Sequence, residues 1–135
     1  MSLKLTIKPD EVFVINGCVI KNSSRRHTLT IENFADVIRG ADLLEEKDAN
    51  TPIKEVYYLI QVAFLEKSTR DNIIPHVQQK LAKLFTIFGP EAQKYIMECA
   101  NYISTSDYYK ALASLRPAIK YESKLLEINH VKQNI

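Results

Sequence analysis

The chain has 135 residues, 46% of them apolar and 25% charged, with a formal net charge of +2. That size allows one domain, or two closely associated subdomains, whose core needs no disulfide or metal. The balance excludes a collagen-like, disulfide-scaffold or disordered chain, and the longest apolar run, Val56 to Leu65, is broken by Gln61 and is half of a membrane span.

The first 40 residues read as β structure. In LKLTIK (Leu3 to Lys8), Leu3, Leu5 and Ile7 alternate with Lys4, Thr6 and Lys8, so one face meets a core and the other meets water. Pro9-Asp10 interrupts this strand. EVFVI and CVIK follow, separated by Asn16-Gly17. An Asn-Gly pair supplies the positive φ angles of a type I′ turn, which predicts a hairpin with Ile15 facing Cys18, Val14 facing Val19 and Phe13 facing Ile20. HTLTIE (His27 to Glu32) alternates again, with Leu29 and Ile31 predicted inward, and DVIR (Asp36 to Arg39) ends at Gly40. The expectation is one small, twisted antiparallel sheet of four or five strands over residues 1–44. Cys18 and Cys99 sit in apolar patterns with no zinc or redox spacing, and both are read as reduced core residues of a cytoplasmic protein.

Leu43 to Asn50 is acidic, a short helical turn and loop. Thr51-Pro52 then starts a helix running to about Lys67, with Ile53, Val56, Tyr57, Ile60 and Phe64 on its inner face. A second helix after Ser68-Thr69 carries Ile73, Val77, Leu81, Leu84 and Phe88, with Pro75 predicted in its first turn. Gly89-Pro90 opens a third, with Ala92, Tyr95, Ile96, Cys99 and Ile103 inward. Ser104 and Asp107 have capping-box spacing before a fourth, in which Pro117 predicts a kink. The fold class is therefore α+β: an N-terminal sheet (1–44), a four-helix bundle (51–128) and a frayed tail (129–135), in one compact unit.

Charge is unevenly spread. Residues 1–40 carry six basic and four acidic side chains, residues 41–66 two and six, and residues 67–135 ten and six. No phosphate-binding glycine loop, zinc-protease motif or nucleophile elbow is present, and His27, His76 and His130 lie in different elements, so no enzyme, cofactor or metal is expected. No signal-peptide pattern is visible at the N-terminus. Arg25 and Arg26 sit at a loop tip with His27 beside them; guanidinium forks there suit phosphate contact, and the competing reading is loop solubility. Lys4 and Lys8 either meet phosphate or guard a strand edge. All seven tyrosines fall in the helical half, where they serve as core-edge residues or as stacking and docking groups.

The run LKLTIKPDEVFVINGCVIKN, then RR, TLTIEN and VIRGADLL, resembles the start of the FlbT family of flagellin regulators, and Thr51-Pro52 with Tyr57-Tyr58 and DYYKALASLRPAIKYESKLL (Asp107 to Leu126) fit it too. The resemblance implies a cytoplasmic post-transcriptional regulator that binds the 5′ leader of flagellin mRNA and alters its translation and lifetime, more often as a repressor. A shorter likeness, PDEVFVINGCVI with VIRGADLLEE, is similar to the small carbon-storage-type RNA-binding regulators, and implies roles for a basic first strand and an arginine ending the fifth. The RNA-contacting residues implied are Lys4, Lys8, Arg25, Arg26 and Arg39. The alternative is an adaptor or chaperone-like factor that docks flagellin or another flagellar regulator, with Tyr58 and Tyr109 as partner-binding residues and no direct RNA contact. The low net charge leaves room for a homo-oligomer that doubles the basic surface, and no membrane partner is implied.

Overall fold

In a computed structural model, which describes residues 2–133, the chain divides into two compact units, 1–44 and 45–135. The first unit holds β1 (Leu3–Ile7), β2 (Val12–Ile15), β3 (Cys18–Lys21), β4 (His27–Ile31) and β5 (Val37–Ile38). The Asn-Gly hairpin forms in the expected register, Ile15 opposite Cys18, Val14 opposite Val19 and Phe13 opposite Ile20. Asn16 (φ 51°) and Gly17 (φ 80°) both take the left-handed conformation that the turn requires.

The single sheet expected from sequence is instead two antiparallel sheets, β1-β4 and β3-β2-β5. The physical reason lies at Asn22, between β3 and β4. Its Nδ2 donates to the carbonyls of Ile7 (3.4 Å), Lys8 (2.8 Å) and Arg25 (2.8 Å). These bonds fasten the connection to the end of β1, so β4 runs along β1, with Leu3 opposite Ile31 and Ile7 opposite His27. Leu5, Ile7 and Phe13 form a core cluster packed with Ile15, Ile20, Ile31 and Val37, and Val14 and Ile38 are buried as well. Three side chains expected inward are exposed, the first being Leu3 at the start of β1. Leu29, expected inward, is exposed. Cys18, expected in a core, is exposed because β3 is the outer strand of its sheet.

The second unit is an α-helical bundle of α1 (Pro52–Leu65), α2 (Arg70–Ile87), α3 (Pro90–Ser104) and α4 (Tyr108–Gln133). α1 packs on α2 and α4, and α3 does the same from the other side. Most of the predicted stripe residues are core: Ile53, Val56, Tyr57 and Ile60; Val77, Leu81 and Leu84; Ala92, Ile96, Cys99 and Ile103; Phe64, Ile73, Phe88 and Tyr95 are only half-buried, and α4 adds Leu112 and Leu115. Burial holds the Cys99 thiol protonated, its pKa pushed up to about 12. Pro75 lies deeper than expected, at the sixth position of α2, and Asp71, whose carbonyl it cannot serve, is exposed. Pro117 also faces solvent, and α4 continues past it to Gln133. The end of the tail expected at 129–135 lies outside the described residues. The capping box at Ser104 and Asp107 is replaced by Asp107 alone, whose Oδ1 accepts from the Lys110 N–H at 3.1 Å.

One buried acid organises the bundle. Glu122 of α4 accepts from the Thr51 hydroxyl and, through Oε2, from the Ile53 N–H at 3.0 Å. Thr51 in turn accepts from the Lys54 N–H at 3.3 Å. A negative charge at the start of α1 also complements its dipole. At the other end of α1, Arg70 donates to the carbonyls of Ala63 (2.7 Å) and Phe64 (3.2 Å) while its guanidinium lies 4.6 Å from the Tyr108 ring centroid. Glu122→Ala leaves a buried N–H unsatisfied and should cost about 2 kcal/mol. Urea unfolding should show a lower midpoint with an unchanged m-value; an unchanged midpoint would contradict the anchoring role.

Candidate nucleic-acid interface

The β1-β4 ribbon sorts its side chains by parity. On one face lie Leu3, Leu5, Ile7, Leu29 and Ile31. On the other, Lys4 stands opposite Thr30 and Thr6 opposite Thr28, all exposed. Continuing that register one step beyond the Ile7-His27 pair places Arg26 across from Lys8, also both exposed. The outer face is therefore polar throughout and cationic at Lys4, Lys8 and Arg26. At ~3.4 Å per residue the two lysines are roughly 14 Å apart along the strand.

The arginine loop is held, not dangling. Besides the three carbonyl bonds of Nδ2, Asn22 Oδ1 accepts from the Ser23 N–H (2.9 Å) and the His27 Nδ1 (2.9 Å). An amide oxygen only accepts, so the His27 proton sits on Nδ1. Asp10, at φ 60°, donates its N–H to Ser23 O (2.8 Å), and Asn22 donates its own to Glu11 O (2.9 Å). The 8–11 turn and the 22–26 loop are thus sewn together, and Lys8, Arg25 and Arg26 stand at one end of the ribbon. Sequence reasoning missed Asn22. Its place ahead of Ser23-Ser24 is the available signal, because asparagine at a turn bonds nearby backbone.

Arg39 is placed differently from the other four candidates. Its Nε donates to Glu11 Oε2 (2.9 Å), and its Nη2 donates to Glu11 Oε1 (3.0 Å) and to Thr6 O (2.7 Å). Glu11 also accepts from the Lys8 N–H (3.1 Å) and the Gly40 N–H (3.2 Å). The Arg39 hydrogen bonds, then those from the Lys8 and Gly40 backbone, hold the Glu11 carboxyl down at about 2, against the opposing effect of its own partial burial. Arg39 is correspondingly held above the usual guanidinium range, chiefly by its bond to Glu11. Gly40 is required beside this pair: a Cβ there would come within 2.8 Å of the Val12 carbonyl.

The tyrosine candidates lie in the helical unit. Tyr58 on α1 is half-buried. Tyr109 on α4 is half-buried with its ring 6.5 Å from that of Phe64, while Tyr108 beside it is buried. Among the described residues no group of three or more His, Cys, Asp or Glu is arranged to hold a metal, and no helix is long and apolar enough to cross a membrane.

Because the Glu11 pKa falls on folding, the pair stabilises the folded state above pH 4.5, and that stabilisation is lost as pH falls toward about 2. Glu11→Gln should be less stable than the parent at neutral pH and should show a shallower loss of stability across that acid window. Unfolding of the full chain followed at several pH values checks this; parallel pH profiles would refute it.

The profile of the family described as flagellar protein FlbT matches residues 3–126. The flagellum biosynthesis repressor protein FlbT of Caulobacter vibrioides (strain ATCC 19089 / CIP 103742 / CB 15) is 29% identical over 136 residues, spanning 100% of this chain and 95% of that one. A probable flagellum biosynthesis repressor FlbT of Rhodopseudomonas palustris (strain TIE-1) is 36% identical over 129 residues, spanning 93% of this chain and 98% of that one. No solved structure matches the chain. With a match that runs from β1 through most of α4, and relatives similar over nearly their whole length, the chain belongs to the FlbT family of flagellar proteins.

Proposed function

We propose that this protein is a regulator of flagellar synthesis, acting as a repressor that grips the 5′ leader of flagellin mRNA with the outer face of its β unit. The regulatory and repressor parts rest on the relatives' names. The RNA part rests on one observation: Lys4, Lys8, Arg25 and Arg26 are exposed around a ribbon face whose other paired residues are threonines, with Glu32 one step beyond its far end, and the 22–26 loop is braced by Asn22. Exposed cations on a stiff frame bind phosphate at a small ordering cost. Threonine hydroxyls add neutral hydrogen-bonding groups between the cations. In this reading Arg39 contributes mainly as the brace of the platform, through Glu11 and Thr6. The protein works in the cytoplasm, where the message is.

A second reading has one structural observation in its favour. An apolar groove of about 370 Å³ lies between α2 and α3, lined by Leu81, Ala82, Phe85, Ile96 and Met97 among others. It suits a partner's side chains, and the effect on the message would then be indirect. Tyr58 and Tyr109 do not line it. Flagellar proteins retained after ribonuclease treatment, without RNA crosslinks to the chain, would favour this reading.

Replacing Arg25 and Arg26 together by Ala should weaken binding to a transcribed flagellin leader on the order of tenfold, and should flatten the plot of log affinity against log salt by about 0.7 for each phosphate no longer neutralised. An unchanged affinity and slope would remove the arginine loop from the interface.

A further inference from the structure

The most exposed large apolar side chain among the described residues is Phe34, at 90%. It lies between β4 and β5, in a segment fixed at both ends. On one side Ile31 is paired with Leu3. On the other, the Asp36 N–H donates to Asn16 Oδ1 and the Asn16 N–H donates to Asp36 O, both at 2.8 Å. The hairpin turn of β2 and β3 thus clamps the chain two residues after the phenylalanine. The ring contributes nothing to the core, and its faces are open to a partner on a segment held at both ends.

We propose that Phe34 is a base-stacking residue, offering its ring to one unpaired base of a single-stranded RNA whose phosphates lie along Lys4 and Lys8. The inference rests on the RNA-binding reading above and deepens it. Charge favours a base over a phosphate at this point. Glu32 and Asp36 flank Phe34 and repel phosphate, whereas a neutral base is indifferent to them and finds hydrogen-bonding groups in Glu32 and Asn33. The cations lie elsewhere on the ribbon, Lys4 near this end by register and Lys8, Arg25 and Arg26 at the other. Phosphate contacts and base contact would therefore fall at separate places on the unit, as when aromatic side chains and basic residues share the binding of a single strand. Leu3, Val12, Val19 and Leu29 of the same unit are also exposed, so a protein contact is the competing outcome that the test must separate.

The chain contains no tryptophan, so Phe34→Trp installs its only tryptophan, which can be excited selectively over the seven tyrosines. The probes are a labelled single-stranded RNA 12-mer and a transcribed flagellin leader. Tryptophan emission should be quenched on adding either RNA, with affinity close to that of the parent. Phe34→Ala should bind about ten- to a hundredfold more weakly at constant salt, the range expected for loss of one stacked base, yet keep the parent's salt slope, because stacking releases no counterions. Lys4→Ala with Lys8→Ala should do the reverse and flatten the slope. Phe34→Ala should also melt with the parent, as exposed substitutions do. If the parent binds RNA but Phe34→Ala binds equally and the Phe34→Trp emission is unmoved, the stacking role is overturned while the RNA reading stands. If the parent binds neither RNA at low salt, both fall. If Phe34→Ala lowers the mass of an oligomer and leaves RNA affinity intact, the ring is a protein contact and the inference is overturned.

Discussion

The β unit depends on one carboxylate. Glu11 accepts hydrogen bonds from the Lys8 N–H, the Gly40 N–H and the Arg39 guanidinium, and Arg39 reaches on to the Thr6 carbonyl. Four separate pieces of chain, β1, the 8–11 turn, the end of β5 and the 3₁₀ turn after it, are held by a single side chain and its partner. A unit of some 44 residues has too little apolar surface to hold its geometry by burial alone. Its buried apolar side chains are few: Leu5, Ile7, Phe13, Val14 and Ile38, with four partly buried neighbours around the first three. Directional bonds to backbone, and the two-pronged bond between Arg39 and Glu11, add to what the core supplies.

The two asparagines extend the same logic to the loops. Asn22 ties the arginine loop to the end of β1, and Asn16 ties the hairpin turn to the start of β5. Both use a short amide to satisfy backbone groups that no ladder reaches. The consequence for binding is entropic. An arginine on a floppy loop loses backbone freedom when it meets a phosphate; here that freedom is already gone, and only side-chain rotamers remain to be fixed.

What the sequence disclosed and what it concealed divide along one line, the sequence distance between partners. The β2-β3 hairpin was legible to the register because two residues, Asn16 and Gly17, set it and alternation confirmed it. The helix stripes were legible because each repeats every three or four residues. The pairing of β1 with β4 was not, because its cause is Asn22, whose bonds reach back 14 and 15 residues. Nor was the anchoring of α1 by Glu122, 71 residues from Thr51. Among the site candidates, Lys4, Lys8, Arg25 and Arg26 were legible as exposed cations, while Arg39 looked the same in sequence and proved to be a brace for the turn that carries Glu11. A charged residue declares its sign in sequence but not its partner.

That last distinction bears on how, in the RNA-binding reading proposed above, a chain of net charge +2 would hold a polyanion. Within residues 1–40, the Glu11–Arg39 pair neutralises itself, leaving Lys4, Lys8, Lys21, Arg25 and Arg26 against Asp10, Glu32 and Asp36. The surplus is the same as before the pair is removed, but its placement has changed: cations line the ribbon and the 22–26 loop, and two of the three acids flank Phe34. Steering by the whole molecule is therefore weak, and contact depends on local order. Such an interface gains little from long-range attraction and much from the fit between fixed cations and successive phosphates. It favours a flexible single strand, which can adjust its phosphate spacing to a rigid ribbon, over a duplex, which cannot.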